Sequence, residues 1–492
     1  MRRALRWLDR KPGAWLGFGM LLLFATEVRS PVAVLAWIAP LPCLRYLRLT
    51  PGWRPRLLFG VALFAAWTLA TAKIASEPRI LALAPLFALP IAISQVLAYL
   101  TWDRLRTRVA PWIATCVFAV GLASTEWVLH HFTPFGSWGA TAYTQLDDLP
   151  LLQVASVAGI AGVAILVNAT AAAIESALAS DASARPTLAA VLTASIASHA
   201  AGTVRLALAD VAADRLVTVA TVDTDSDVGG LPLPSKELTH DWDRVLLSRT
   251  EEAARSGAAL AVWPEAATLV WPEEEEDWDA TIRSAAMRDG IDIVAAYVVP
   301  ESTSPFVYRN EFRVFLHDGT VAPPYAKHHP VPGEPARAGV GPAPIIAREW
   351  GRLSGAICYD YDFPRMARDR AGADVVAVPA SDWRGIDPVH AQMAAVRAIE
   401  SGHSVVRATR FGLSLAVDPY GRVRGWRSAF EPGAGEMITQ VPRSRVSTPY
   451  AFWGDAPLAG GVILLSALIV QRLRRRSIFS SGAVAQERAT QT

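Results

Sequence analysis

Gly355-Ala-Ile-Cys-Tyr-Asp-Tyr-Asp-Phe-Pro364 sets one cysteine, Cys358, at the end of a short apolar run and follows it with acids. A strand that ends on a thiol presents a nucleophile at the edge of a sheet, where open α/β folds place their ligands. Working outward, Leu216 to Val222, Ala258 to Trp263, Ile291 to Val299, Leu353 to Cys358, Ala373 to Pro379 and Ser404 to Ala408 are β-branched or apolar runs of strand length. Between many of them, Lys236 to Arg255, Asp277 to Met287 and Val389 to Glu400 show apolar residues at helical spacing. Phe312 to Val321 alternates and carries Asp318-Gly319, a strong hairpin signal. The pattern predicts a layered α/β domain over 209 to 450 with a mixed sheet.

Upstream the character changes. The chain has 492 residues, 52% of them hydrophobic, and a mean hydropathy of +0.26, which is too apolar for a purely soluble protein. Apolar runs at 14 to 26, 31 to 48, 57 to 75, 80 to 101, 109 to 130, 150 to 173 and 187 to 208, with another at 456 to 471, approach the ~20 residues that cross a bilayer. This predicts about eight transmembrane helices. Seven form an N-terminal bundle over 1 to 208, the eighth spans 451 to 476, and a disordered polar tail occupies 477 to 492. Arginines gather at the N-terminus, at 45 to 56, at 104 to 108 and at 472 to 476, alternate connections that fall on one side. Both termini are therefore expected in the cytoplasm, with the α/β domain on the outer face of the membrane; an outer-face domain with unpaired cysteines fits a bacterial inner membrane. With 47 basic and 45 acidic residues, bulk charge gives nucleic acid no foothold.

Three acid-base groups stand at the ends of strand-like runs: Glu265 in Trp263-Pro-Glu265, Lys327 in Tyr325-Ala-Lys327, and Cys358. A thiol needs a base to attack a carbonyl well, which Glu265 supplies, while Lys327 can hold the carboxylate ionised and donate to a developing oxyanion. The backbone N–H of Tyr359 is a second candidate donor. Other residues take plainer readings. Trp271-Pro-Glu273 runs into an acidic helix start, His328-His329 lack partners at ligand spacing and form a polar rim, and His390 opens a helix as a packing or hydrogen-bonding residue. Trp138 reads as an interfacial anchor, Tyr359 and Asp360 as residues that shape the pocket, and Cys43 and Cys116 as buried thiols. No metal or other cofactor is expected.

The Glu, Lys and Cys blocks, in that order, resemble those of the nitrilase superfamily. Gly136-Ser-Trp-Gly-Ala-Thr-Ala-Tyr-Thr-Gln145, Pro150-Leu-Leu-Gln-Val-Ala-Ser156, His390-Ala-Gln-Met393 and Thr448-Pro-Tyr450 narrow this to the apolipoprotein N-acyltransferase family, its membrane-embedded branch. The resemblance implies an α-β-β-α sandwich and a ping-pong acyl transfer. Cys358 would take an acyl chain from a phospholipid as a thioester, with Glu265 as base and Lys327 at the oxyanion. The acceptor would be the α-amine of S-diacylglyceryl-cysteine on a lipoprotein. The resemblance also makes Glu334, in Val331-Pro-Gly-Glu334, the residue that orients Lys327. Asp360 stands where the family usually has glutamate, and the Lys327 to Cys358 segment is short for the family. A monomer is expected. The alternatives are a membrane-tethered amidase and a silent homologue that binds lipoproteins.

Overall fold

The computed structural model describes residues 7–76, 78–179, 183–209, 215–228, 230–431 and 436–489. The basic opening 1–6 and the last three residues of the expected tail lie outside the described residues. Among the described residues, six helices are long and apolar enough to cross a membrane: Trp53–Ala72 (α4), Ile80–Leu105 within Pro78–Leu105 (α5), Pro111–Phe132 (α6), Ala155–Leu178 (α8), Ala184–Ala207 (α9) and Ala456–Arg474 within Ala456–Ala489 (α15). The first expected span is the 15-residue helix Pro12–Thr26 (α1). The second is broken into Ala33–Ala36 (α2) and Pro40–Leu49 (α3), because Pro40 and Pro42 lack the N–H groups that would continue a ladder from Ala36. At the far end α15 runs to Ala489, through most of the stretch expected to be disordered. Ala, Gln, Glu and Arg in that stretch are good helix formers.

The α/β part holds two six-stranded sheets. One has the order β12-β1-β2-β3-β4-β5, with β1 Leu216–Thr221, β2 Leu260–Val262, β3 Asp292–Thr303, β4 Phe306–Phe315, β5 Tyr325–Ala326 and β12 Met437–Pro442. The other has β11-β10-β9-β8-β7-β6, with β6 Ile346–Arg348, β7 Gly351–Gly355, β8 Val375–Ser381, β9 Ser404–Arg410, β10 Leu413–Val417 and β11 Val423–Ser428. Each has a parallel core, β1-β2-β3 and β7-β8-β9, flanked by antiparallel strands. The Asp318-Gly319 turn closes on only one bridge, Phe315 to Val321, while the long hairpin joins β3 to β4.

Strand side chains alternate between faces, so a strand apolar on both faces belongs between two layers. In β3, Val294 and Ala296 join the core between the sheets, while Ile293, Ala295 and Tyr297 pack outward with Leu246 and Ile282 of the helices Lys236–Arg255 (α10) and Glu275–Asp289 (α11). In β8, Val375 and Ala377 face the other sheet, and Val376 and Val378 meet Ala391 and Ala398 of Val389–Ser401 (α13). The result is an α-β-β-α sandwich on a helical bundle.

The two halves interlock. Helix α8 breaks at Ala158-Gly159, where Gly159 has φ +62°. A Cβ there would lie 2.5 Å from the Tyr450 ring, so only glycine fits. The freed N–H of Ile160 donates to Glu400 Oε1 of α13 at 2.9 Å, an acid at a helix start.

Candidate active site

Glu265 and Cys358 meet because the end of one strand holds both. The Glu265 N–H donates to the carbonyl of Ala380, and the Cys358 thiol donates to the carbonyl of Ser381 at 3.5 Å, both at the C-terminal end of β8. Lys327 follows β5, whose pairing with β4 (Ala326 with Glu311) aims it at the same point; its N–H donates to Asn310 O. The Nζ of Lys327 donates to Glu265 Oε1 at 2.8 Å and to Glu334 Oε2 at 2.7 Å. Exposures of 4% for Glu265, 1% for Lys327 and 4% for Cys358 put all three out of bulk water. Glu334 is fixed in turn by Asn310, Tyr308 and the Val331 N–H, and Asn310 Nδ2 bridges Glu265 Oε1 (2.8 Å) and Glu334 Oε1 (3.0 Å).

Burial works against the charge of Lys327, but Glu265 and Glu334 more than offset it and hold its pKa well above the ordinary lysine value. Burial raises the Cys358 thiol well above its usual range; Glu265 and Asp382 add to this, and Lys327 and Arg407 oppose it. At rest Cys358 is thus a protonated thiol beside the buried Glu265–Lys327–Glu334 group. Cys358 itself has φ +46°, an uncommon conformation for a residue with a Cβ. Such strain clusters at functional sites.

Asp360 is a knot. Fully buried, its carboxylate accepts from the N–H groups of Ile357, His328 and His329 and from the Tyr325 hydroxyl, which locks the Lys327 strand end to the Cys358 turn. Burial alone would raise its pKa, and contacts with His329 and Arg370 keep it below the usual aspartate value. The Tyr359 hydroxyl donates to the Pro134 carbonyl in the loop after α6. Glu273 lies on the surface and pairs with Lys236 at 2.6 Å, away from this cluster.

Sequence reasoning passed over a second group. Asp382 accepts from Arg407 (2.8 and 3.1 Å) and from His390 Nδ1 (2.6 Å), and the other ring nitrogen of His390 faces Asp362 at 3.0 Å. Trp138, expected as an interfacial anchor, instead donates its indole N–H to Asp362 Oδ2 at 2.7 Å. The signal available was Ser381-Asp382-Trp383 at a strand end, the same kind of position that singled out Cys358.

Between the bundle and the sandwich lies a cavity of about 260 Å³, almost wholly apolar, lined among others by Ile74, Phe87, Trp138, Val331, Tyr359 and Ile386. It joins the C-terminal end of α4 and the N-terminal part of α5 to Tyr359, the residue after Cys358.

The carbon-nitrogen hydrolase family profile matches residues 193–448, and the profile of the apolipoprotein N-acyltransferase N-terminal domain matches 12–173. The chain belongs to the carbon-nitrogen hydrolase family. Its N-terminal part, 12–173, is similar to the apolipoprotein N-acyltransferase N-terminal domain. It is similar to the apolipoprotein N-acyltransferase of Pseudomonas syringae pv. tomato, 28% identical over 260 residues, which covers 47% of this chain and 51% of the relative. The apolipoprotein N-acyltransferase of Pseudomonas aeruginosa is 37% identical over 145 residues, covering 27% and 28% respectively. The chain thus aligns with between about a quarter and a half of the length of these relatives. A crystal structure of an amidase from Nesterenkonia sp. superposes on 49% of this chain and 95% of its own at 21% identity, with a TM-score of 0.40.

Proposed function

We propose that the chain is an acyltransferase that moves an acyl chain from a phospholipid to the N-terminal α-amine of S-diacylglyceryl-cysteine on lipoproteins, through a thioester on Cys358. The observation that carries this reading is the apolar cavity running from the membrane helices to Tyr359. A site built for a small polar amide has no use for an apolar approach from the membrane helices; an acyl ester in the bilayer needs one.

Cys358 Sγ attacks the ester carbonyl while Glu265 accepts its proton. The oxyanion takes hydrogen bonds from Lys327 Nζ and the Tyr359 N–H. On collapse the C–O bond breaks, Glu265 returns the proton to the departing lysophospholipid oxygen, and the acyl group stays on sulfur. The neutral α-amine of the lipoprotein then attacks the thioester, Glu265 takes its proton, and the carbon–sulfur bond breaks to regenerate the thiol. Glu334 and Asn310 hold the lysine and the base in register, and Tyr359 and Asp360 fix the turn that carries Cys358. In this reading 1–208 is the bundle, 209–450 the catalytic domain on the outer face of the inner membrane, 451–476 the closing span and 477–492 the cytoplasmic end. The unit acts as a monomer.

Mass spectrometry of a lipoprotein N-terminus tests the assignment. Reconstituted protein should add a third acyl chain, and Cys358→Ala should add none. Release of the acyl group only as free acid would make the protein a hydrolase.

The cavity gives a separate prediction. Gly385 sits so close to the end of α4 that a Cβ would fall 1.9 Å from the Ile74 carbonyl oxygen, to which Trp383 also donates at 2.7 Å. Gly385→Val must push the cavity wall outward. Its KM for phospholipid should rise about tenfold or more, the equivalent of about 1.4 kcal/mol. Alkylation of Cys358 by iodoacetamide, which needs no lipid, should stay within about twofold.

A further inference from the structure

The Asp382, His390, Arg407 and Asp362 group is outside the Glu265, Lys327 and Cys358 set, yet it reaches the nucleophile. One donor atom each from Cys358, Asp382 and His390 lie within 4.8 Å of one another. Such a trio resembles a metal site by composition, but Asp382 and both ring nitrogens of His390 already have protein partners. Asp382 Oδ1 receives His390 and Arg407, Oδ2 receives Arg407 again, and both ring nitrogens of His390 face carboxylates. The arrangement is a closed set of two carboxyl groups and two cationic side chains.

We propose that His390 is a positioning residue that balances the charge beside the Cys358 sulfur and ties that balance to the membrane bundle, bridging Asp382, next to the sulfur, and Asp362, which Trp138 holds. Taking Cys358 as the reacting thiol is the only part of the proposed acyl transfer on which this rests.

The geometry accounts for each member. His390 is buried at the second position of α13, where the helix N-terminus disfavours a cation. Burial also opposes its charge. Asp362 and Asp382 more than offset both and lift its pKa to about 9, with Arg407 working the other way. Asp382, despite its burial, is drawn down to about 2 by Arg407 and His390. Both are therefore charged through the neutral range. On the far side of Asp362 stand Trp138, and through the longer-range field Tyr143 and Arg397. The Ser137 N–H holds the Asp362 carbonyl at 3.0 Å. The groups facing the sulfur are Glu265 after β2, Lys327 after β5, Asp382 after β8, and Arg407 and Arg410 on β9. Neutralising His390 leaves Asp382 and Asp362 facing Arg407 alone, which disfavours the thiolate. Loosening the 134–140 loop from the bundle acts on the same group through Asp362.

The test reads Cys358 without any lipid. In full-length purified protein, iodoacetamide alkylation of Cys358 is followed against pH by mass spectrometry of its peptide, which separates it from Cys43 and Cys116. His390→Gln should move the profile up by about one pH unit, so that the rate falls about tenfold at a given neutral pH. Asp362→Asn should move it down, and the double variant should lie near the wild type, because charge is again balanced. A structural role would slow the double variant at least as much as the single ones. Overlapping profiles for the wild type and both single variants, or a double variant slower than His390→Gln, would overturn the proposal. The lipoprotein assay reads the acyl transfer separately, so failure of one leaves the other legible. Should His390→Gln fold poorly, the downward shift of Asp362→Asn alone decides.

Discussion

Lys327→Met is expected to abolish turnover and to destabilise the fold by about 3–5 kcal/mol, the usual penalty for removing one partner of a buried charge pair. The size follows from what stays behind. Glu265 and Glu334, bonded to Nζ at 2.8 and 2.7 Å, would face each other across an apolar side chain with Asn310 as their remaining common donor. Loss of an oxyanion donor alone lowers turnover by about 10²–10³. The pH dependence gives the sharper signature. Two buried carboxylates deprived of their cation repel each other in the folded state, and acid relieves that repulsion. The variant's stability should therefore rise as pH falls from 8 towards 5. In the wild type the raised Lys327 pKa stabilises the fold fully across that range, since the loss begins only above the ordinary lysine value and proceeds as pH climbs towards the folded one. Thermal unfolding of detergent-purified protein at pH 5 and pH 8 checks this. Equal destabilisation at both would mean that the carboxylates are not what the lysine balances.

Cys358→Ala should lower acyl transfer by about 10⁶, on the scale of nucleophile removal in a serine protease, and should trap no acyl-enzyme. Its stability should change little, because the thiol makes one long bond to Ser381 and carries no charge at rest. Cys358→Gly adds a backbone test. At φ +46° a Cβ is strained, so glycine should be as stable as alanine or more so by up to about 1 kcal/mol, although at most positions it is less stable. An alanine variant clearly more stable than the glycine one would show that no strain is stored at the nucleophile.

The parts of this molecule that could be read in advance are those carried by local pattern. The alternation of short apolar runs with helical ones gives β1, β2, β3, β7, β8 and β9 and the helices between them, because each of those strands is buried on both faces. Trp263-Pro-Glu265, Tyr325-Ala-Lys327 and Cys358 stand out because each ends a strand. The second group is different in kind. Asp362 lies on a turn, Asp382 just past β8, His390 on a helix and Arg407 on another strand, and the register of β8 against β9, which sets Ser381 opposite Arg410, helps bring them together. Of the four, only Asp382 carries a local mark, its place at a strand end. The bundle shows the same limit. Hydropathy reads 31 to 48 as one span, and it is the absence of an N–H at Pro40 and Pro42 that divides it. Trp138 was legible as an outer-loop aromatic, but its partner Asp362 is 224 positions away.

The break in α8 at Gly159 bears on how the protein is made. Ile160 offers its N–H to a carboxylate that follows it by 240 positions. At translation rates of about 5–20 residues per second, that half of the helix waits roughly ten to fifty seconds for Glu400 to emerge. During that interval the start of the helix must stay in contact with water or another chain, since an unpaired N–H is costly in hydrocarbon. The docking of α13, and with it the Tyr450 ring, into the notch of α8 thus comes well after α8 itself has been made. A chain interrupted before residue 400 would leave in the membrane a set of helices with an open seam, a recognisable target for the proteases that clear unfinished membrane proteins.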